Sequence, residues 1–265
     1  LAESLQRISG VSISRSRGEG QSVTVRGLGP QFNLVTLNGR QMPTYADSND
    51  SNGRSFDFGD LASEGISGVQ IYKTGRADVP TGGIGSTINI TTTKPLENPG
   101  FKSVVSVKAV NDQSTNEGSS VTPEVSGIYS NTFADDKFGI ALSASYQERD
   151  SGLNEANIFG WRTFEGAEQG NWGNVPIDAN QVNRPGADDI YSVPQQVGYK
   201  TNEYSRERLN GQLTMQWQAT EQLRATVDYT YSEVDLTHTF DEYSAWFNFG
   251  AQTTEFDGAN VATPL

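Results

Sequence analysis

Residues 23–40 read VTVRGLGPQFNLVTLNGR, and the fold turns on how that stretch is parsed. Val23 and Val25 alternate with Thr24 and Arg26, the period of a half-buried strand. Gly27, Gly29 and Pro30 interrupt it. Alternation resumes over 34–37, and Asn38-Gly39 is a strong turn signal because both residues tolerate positive φ. The pattern predicts a polar-tipped hairpin whose first turn opens on Arg26. Because Arg26 follows an apolar strand, it is expected to be buried and paired. A second stretch is built in the same way, with ISGVQIYKTG at 66–75 and then ADVPTGGIGSTINITTTK at 77–94.

On the N-terminal side, residues 1–10 (LAESLQRISG) read as a short amphipathic helix, with Leu1, Leu5 and Ile8 on one face and Gly10 as its stop. They lack the basic stretch and apolar core of a signal peptide. A chain that opens inside a helix is expected to continue a longer polypeptide. Residues 41–54 contain YADSNDSNG, which cannot pack a core. This excursion reads as either a surface loop or a polar apex offered to a ligand. Phe56, Phe58 and Leu61 then return the chain to the core. Lys94-Pro95 with Pro99 marks a boundary, so 1–96 is expected to form a small α+β domain.

Beyond it the pattern changes. Phe138, Ile140, Leu142, Ala144 and Tyr146 alternate with small or polar residues. So do Leu209, Leu213, Met215 and Trp217, and again Leu223, Ala225, Val227, Tyr229 and Tyr231. Each run is apolar on one face for about ten residues, the signature of a transmembrane β-strand. Two weaker strands precede them near 101–110 and 123–133. The links at 134–137 and 220–222 are tight, whereas 111–121, 150–203 and 237–265 are long. Short and long connections therefore alternate, as periplasmic turns and extracellular loops do. A soluble β-sandwich also alternates. Against it stand the strand length and a loop of more than fifty residues, uncommon in a compact domain unless functional. Residues 97–265 are thus expected to be antiparallel transmembrane barrel strands. Five strands cannot close a barrel, so most of the wall is expected to lie beyond them.

Composition fits this reading. The mean hydropathy is -0.54, with 34% hydrophobic residues, 28 glycines and no cysteine. No run approaches the ~20 apolar residues of a membrane helix, but barrel strands leave average hydropathy low. Lacking cysteine, the chain forms no disulfide or thiolate metal site. Residues 1–100 are charge-balanced, and the whole net charge of -13 falls on 101–265. That distribution argues against nucleic acid, which favours a basic face.

Taken together, Arg26-Gly27, Leu37-Asn38-Gly39, the strand over 69–73, and Gly82-Gly83-Ile84-Gly85 followed by Ile88-Asn89-Ile90 resemble the plug domain of TonB-dependent outer-membrane receptors. The resemblance covers 1–96 closely and the remainder through its strand pattern. It implies an α+β plug domain inside a 22-strand barrel, active transport without covalent chemistry, and energy from an inner-membrane TonB–ExbB–ExbD complex. A TonB box, absent from the residues given, would precede Leu1. The resemblance also makes residues 41–54 a floor of the binding cavity, and implies that Arg26 latches the plug to a barrel-wall carboxylate expected beyond residue 265. Gly27, Asn38, Gly39, Gly82, Gly83 and Gly85 are the matching structural positions. The two quoted stretches are similar to those of the receptor group associated with carbohydrate uptake.

Candidate catalytic groups are few. His238 is the single histidine and sits in a polar segment. The pairs Asp135-Asp136 and Asp188-Asp189 read as solvated turns. GGIGS at 82–86 lacks the Lys-Ser/Thr ending of a phosphate cradle. No enzyme is expected. The loops are richer in signal, since three of four tryptophans fall there. Their flat faces among Asn, Gln, Asp and Arg suit sugar rings, but they equally suit packing of the loops on themselves. Residues 150–203 hold 8 acidic and 3 basic side chains, and 237–265 hold 4 and none. Such a mouth disfavours polyanionic chelates. Tyr45, Trp161, Trp172 and Trp246 are the candidate contacts of a neutral oligosaccharide. A ferric-siderophore or peptide receptor, or an adhesin, is the alternative.

Overall fold

The computed structural model describes residues 1–16, 19–44, 53–80, 82–170, 172–177, 181–247, 249, 253–257 and 261–262. It forms two compact units, 1–151 with 204–237 and 152–203 with 238–265.

The first unit begins with helix α1 (Ala2–Leu5), shorter than its sequence predicts. The chain leaves it through a tight turn, in which Ile8 N donates to Leu5 O at 3.0 Å, and Gly10 takes a φ of 72°. Strands β1 (Val11–Ser16) and β2 (Glu19–Val25) then pair antiparallel, Val11 opposite Val25. This corrects the expected hairpin, because β2 does not pair with the strand that follows it. A 3-10 turn (Pro30–Phe32) carries the chain into β3 (Asn33–Leu37), which bends back at Asn38-Gly39 into the short β4 (Arg40–Gln41). Asn38 and Gly39 have φ of 50° and 80°, the left-handed values that the turn signal anticipates. Strands β5 (Ile66–Tyr72) and β6 (Ser86–Thr92) complete a four-stranded sheet in the order β4-β3-β6-β5, with β3 and β6 parallel. A parallel neighbour 53 residues away leaves no local sequence trace, whereas the hairpin signal does.

Val23, Val25, Ile88 and Ile90 are almost wholly buried in this domain's core, joined as expected by Phe56, Phe58 and Leu61. Gly83 runs so close to its neighbours that a Cβ would lie 2.5 Å from both Leu34 N and Ser86 O, so no other residue fits. Gly82 lies beside Leu34, and a Cβ on Gly85 would meet the Asn33 amide oxygen at 2.8 Å. Arg26 departs from expectation. It is exposed, sits at a φ of 53° in the turn before Gly27 (φ 78°), and donates from Nη2 to the Gly85 carbonyl at 3.1 Å. The left-handed turn places its guanidinium on the Gly85 carbonyl.

Next come five longer strands: β7 (Lys102–Asn111), β8 (Val121–Phe133), β9 (Phe138–Phe159), then, after a segment containing short β10 (Arg162–Glu165), β11 (Gln181–Val182) and β12 (Ile190–Val193), β13 (Gln196–Thr220) and β14 (Leu223–Trp246). They form one sheet ordered β14-β13-β9-β8-β7. Val105, Val107, Leu142, Trp217, Val227 and Tyr229 on its outer face are exposed. Ser126, Ser130, Gln147, Thr214 and Gln216 on the inner face are buried. The expected inside and outside phases are therefore the observed ones. At the tight turn between β8 and β9, Ala134, Asp135 and Asp136 all take positive φ.

The long-loop boundaries need correction. β9, β13 and β14 have 22, 25 and 24 residues, about twice the 9–11 that cross a bilayer. Much of 150–203 and the start of 237–265 is therefore strand. The 111–121 connection keeps its expected bounds, since Asn111 ends β7 and pairs with Val121, the first residue of β8. In their extensions these strands keep the hydrogen-bonded ladder without one apolar face, so the alternation fades from the sequence.

The second unit has its own core of Phe164, Val175, Tyr191, Val193, Phe249 and Phe256. β10 and β12 pair antiparallel, and β12 pairs parallel with β16 (Val261–Ala262). β15 (Thr254–Glu255) runs parallel to β11.

Candidate functional site

In the first unit the inner face of the long sheet packs on the N-terminal domain through polar contacts. Period-two geometry fixes which wall residues take part. Odd-numbered Arg149, on the β9 phase of Gln147, and even-numbered Arg206 and Arg208, on the β13 phase of Asn210 and Thr214, all point inward. Arg149 Nη1 lies 2.6 Å from Glu19 Oε1, and Arg206 Nη1 lies 2.6 Å from Glu19 Oε2. Each carboxylate oxygen of β2 thus receives its own guanidinium. Burial pushes the Glu19 carboxyl up, but the hydrogen bond and charge of Arg206, with the charge of Arg149, outweigh it and hold Glu19 below the usual carboxylate range. Arg208 donates to the Gly59 carbonyl.

The pair continues as a row across the wall. Arg206 Nη2 donates to Gln147 Oε1 at 3.0 Å, Gln147 Nε2 to Glu124 Oε2 at 3.0 Å, and Glu124 Oε1 meets Lys108 Nζ at 2.7 Å. Lys108, Glu124 and Gln147 are successive register partners on β7, β8 and β9. A second pin lies where the domain leaves for the wall. Lys94 Nζ sits 2.7 and 2.8 Å from the two carboxylate oxygens of Asp228, which also accepts from Thr214 at 2.8 Å and from Asn38 at 3.4 Å.

Beside Glu19 and Arg206 opens a cavity of about 510 Å³. Gln21, Met42, Phe56, Asp57 and Leu61 line it from the N-terminal domain, and Thr230, Ser232, Val234 and Leu236 from the inward phase of β14. Asp57 is fixed by Gln21 Nε2 at 2.5 Å and by the Gly59 amide at 2.7 Å. Apolar walls with a few oriented polar groups are the usual make-up of a small-ligand site. Met42 and Thr44 belong to the excursion that the sequence marks as a candidate apex.

The predicted aromatic contacts are only partly brought together. Tyr45 lies outside the described residues. Trp161 is exposed. Trp172 and Trp246 meet edge to face with ring centroids 4.5 Å apart, each more than half exposed. The Arg162 guanidinium stands 5.7 Å from the Trp172 ring and 5.3 Å from Phe164, and Arg162 Nη1 donates to the Trp172 carbonyl at 2.9 Å. Phenylalanines and Tyr191 supply the core of this unit, while the tryptophans stay outside it. The packing reading of the loop aromatics therefore holds for Phe164, Tyr191 and Phe249. Glu19, Arg149, Arg206 and Asp57 escaped the sequence reading. Their one trace is a charge on the inward phase of a barrel strand, visible at 149, 206 and 208.

Residues 1–87 match the family model described as TonB-dependent Receptor Plug Domain. No curated protein matches the chain. Two siderophore receptors are among the solved structures similar to it. One is the siderophore receptor PirA from Acinetobacter baumannii, at 14% identity and a TM-score of 0.46, over 88% of this chain and 37% of that one. The other is the siderophore receptor PirA from Pseudomonas aeruginosa, at 13% identity and a TM-score of 0.38, over 92% and 41%. The chain thus spans about two fifths of those receptors. The plug family is one of outer-membrane receptors.

Proposed function

We propose that this chain, whose residues 1–87 are a TonB-dependent receptor plug, is the plug and first wall of an active importer in the bacterial outer membrane. The observation that carries the reading is the plug seated against a sheet with a buried polar inner face and an exposed apolar outer one. Outer-membrane lipid covers the second face, and the first guides a cargo once the plug shifts. A TonB–ExbB–ExbD complex supplies the pull. The chemistry is binding and release, with no covalent step.

The cargo we favour is an oligosaccharide. Trp172 and Trp246 offer exposed ring faces beside the Arg162 guanidinium, which suits stacking on sugar C–H faces with a charged donor at hand. The test is ligand titration and uptake with the intact receptor, using oligosaccharides against ferric chelates, in cells with and without TonB. Saturable, TonB-dependent oligosaccharide uptake supports the reading. Tight binding of an iron chelate that strengthens as salt is lowered would refute the sugar assignment, since screening acts only between charges.

A further inference from the structure

In a chain of net charge -13, two arginines pair with one plug carboxylate, and the charge of Arg208 acts on it as well. Glu124, the nearest wall carboxylate of the row, is already held by Lys108 and Gln147. Among the described residues, the Nε atoms of Arg149 and Arg206 are buried without a hydrogen-bond partner, so the pair has a donor to spare beyond what Glu19 uses. The side chains are mostly out of water, with 22% of Arg149 and 13% of Arg206 exposed. Planar guanidinium forks in such surroundings recognise carboxylates by geometry as well as charge. Glu19 and Arg206 both line the 510 Å³ cavity, so a small molecule there reaches the pair directly.

We propose that Arg149 and Arg206 form a carboxylate-binding site on the wall, which Glu19 fills as an internal ligand at rest and which a carboxylate of the cargo takes over. The exchange keeps the arginines paired throughout. It avoids the large cost of leaving buried charges alone, and frees β2 from the wall at the moment cargo is present. Only the word cargo rests on the transport reading; the site itself does not. The chemistry fits an acidic sugar or a hydroxycarboxylate chelator, and the two are separable by experiment.

The test uses the full-length receptor in proteoliposomes, with hydrogen exchange read over residues 19–25. Glu19→Ala should lower protection there by roughly a hundredfold, as expected for a broken buried pair. Sodium acetate should restore most of it, while sodium chloride at equal ionic strength should not. Glu19→Gln, which fills the space, and Glu19→Ala combined with Arg206→Gln should not respond to acetate. If Glu19→Ala folds and acetate has no more effect than chloride, the site is refuted. Should that variant not fold, the wild-type receptor decides. Galacturonate or citrate, compared with chloride, should loosen residues 19–25 by competing with Glu19, and unchanged exchange with both overturns the proposal. A response to galacturonate alone identifies an acidic sugar, and to citrate alone a chelator. Failure of uptake with intact acetate rescue would remove the transport reading and leave the site standing.

Discussion

The plug and the wall are both built from alternating strands, and they aim the apolar phase in opposite directions. In the plug, Val23 and Ile88 are 1% and 0% exposed, while in the wall Val105 and Trp217 are 75% and 57% exposed. The same period of two serves one region that turns its apolar phase into a core and another that turns it outward. Alternation therefore reports that two environments differ across a strand, not which is which. The assignment comes from the polar phase: in the wall it is buried and hydrogen-bonded to the plug, through Gln216 to the Leu96 amide and Asp228 to Lys94.

The contrast is most open to failure in the plug core. Ile88→Ala should destabilise the plug by ~2–5 kcal/mol, because it opens a cavity at a fully buried site. Val105→Ala in a bilayer should cost under about 1 kcal/mol, since lipid fills the space. Denaturant titrations of the reconstituted receptor would show equal losses if the two faces were misassigned. Nearly as large is the effect of charge on the lipid face. Leu213→Arg should cost ~2–4 kcal/mol near the bilayer midplane. Thr226→Arg, on the inward phase of β14, should cost under about 1 kcal/mol in the same refolding assay.

Smaller effects probe the seam between the regions. Asp228→Ala leaves Lys94 without its carboxylate and should weaken the seating of residues 92–96 by about 2 kcal/mol, the scale of a hydrogen bond to a charged group. Exchange protection of those amides would measure it. The mildest effect is that of pH. Because the folded Glu19 carboxyl titrates below its unfolded value, the folded state binds fewer protons there. Its contribution is complete above the unfolded value of ~4.3 and is lost as pH falls through the lower folded one. Protection of β2 should stay level from neutral pH to about 5 and decline in stronger acid. Glu19→Gln should abolish that decline.

Much of this architecture is legible in the chain because it is local or periodic. The Asn38-Gly39 turn, the aromatics returning at 56 and 58, and the ten-residue wall phases each leave a mark within a few neighbours. What stays hidden is long in sequence. The parallel pairing of β3 with β6 and the contact of Glu19 with Arg149 and Arg206 depend on residues brought together only by the finished fold. Arg26 shows the converse risk. A charge after an apolar strand reads as buried, yet its left-handed backbone turns it outward onto the Gly85 carbonyl, while the ion pairs between this domain and the long sheet start from Glu19 and Lys94. The strand extensions beyond residues 147 and 232 are silent for another reason: water on both faces erases the pattern while leaving the ladder.

The row from Lys108 through Glu124, Gln147 and Arg206 to Glu19 runs around the wall before it reaches the plug. Adjacent strands cannot part without lengthening the ties laid across them, and these contacts are such ties, crossing β7, β8, β9 and β13 before turning inward. The spacing of these four strands and the grip on the N-terminal domain are therefore one mechanical variable. Whatever spreads the strands at this height slackens the domain, and whatever draws the domain away lets the strands relax.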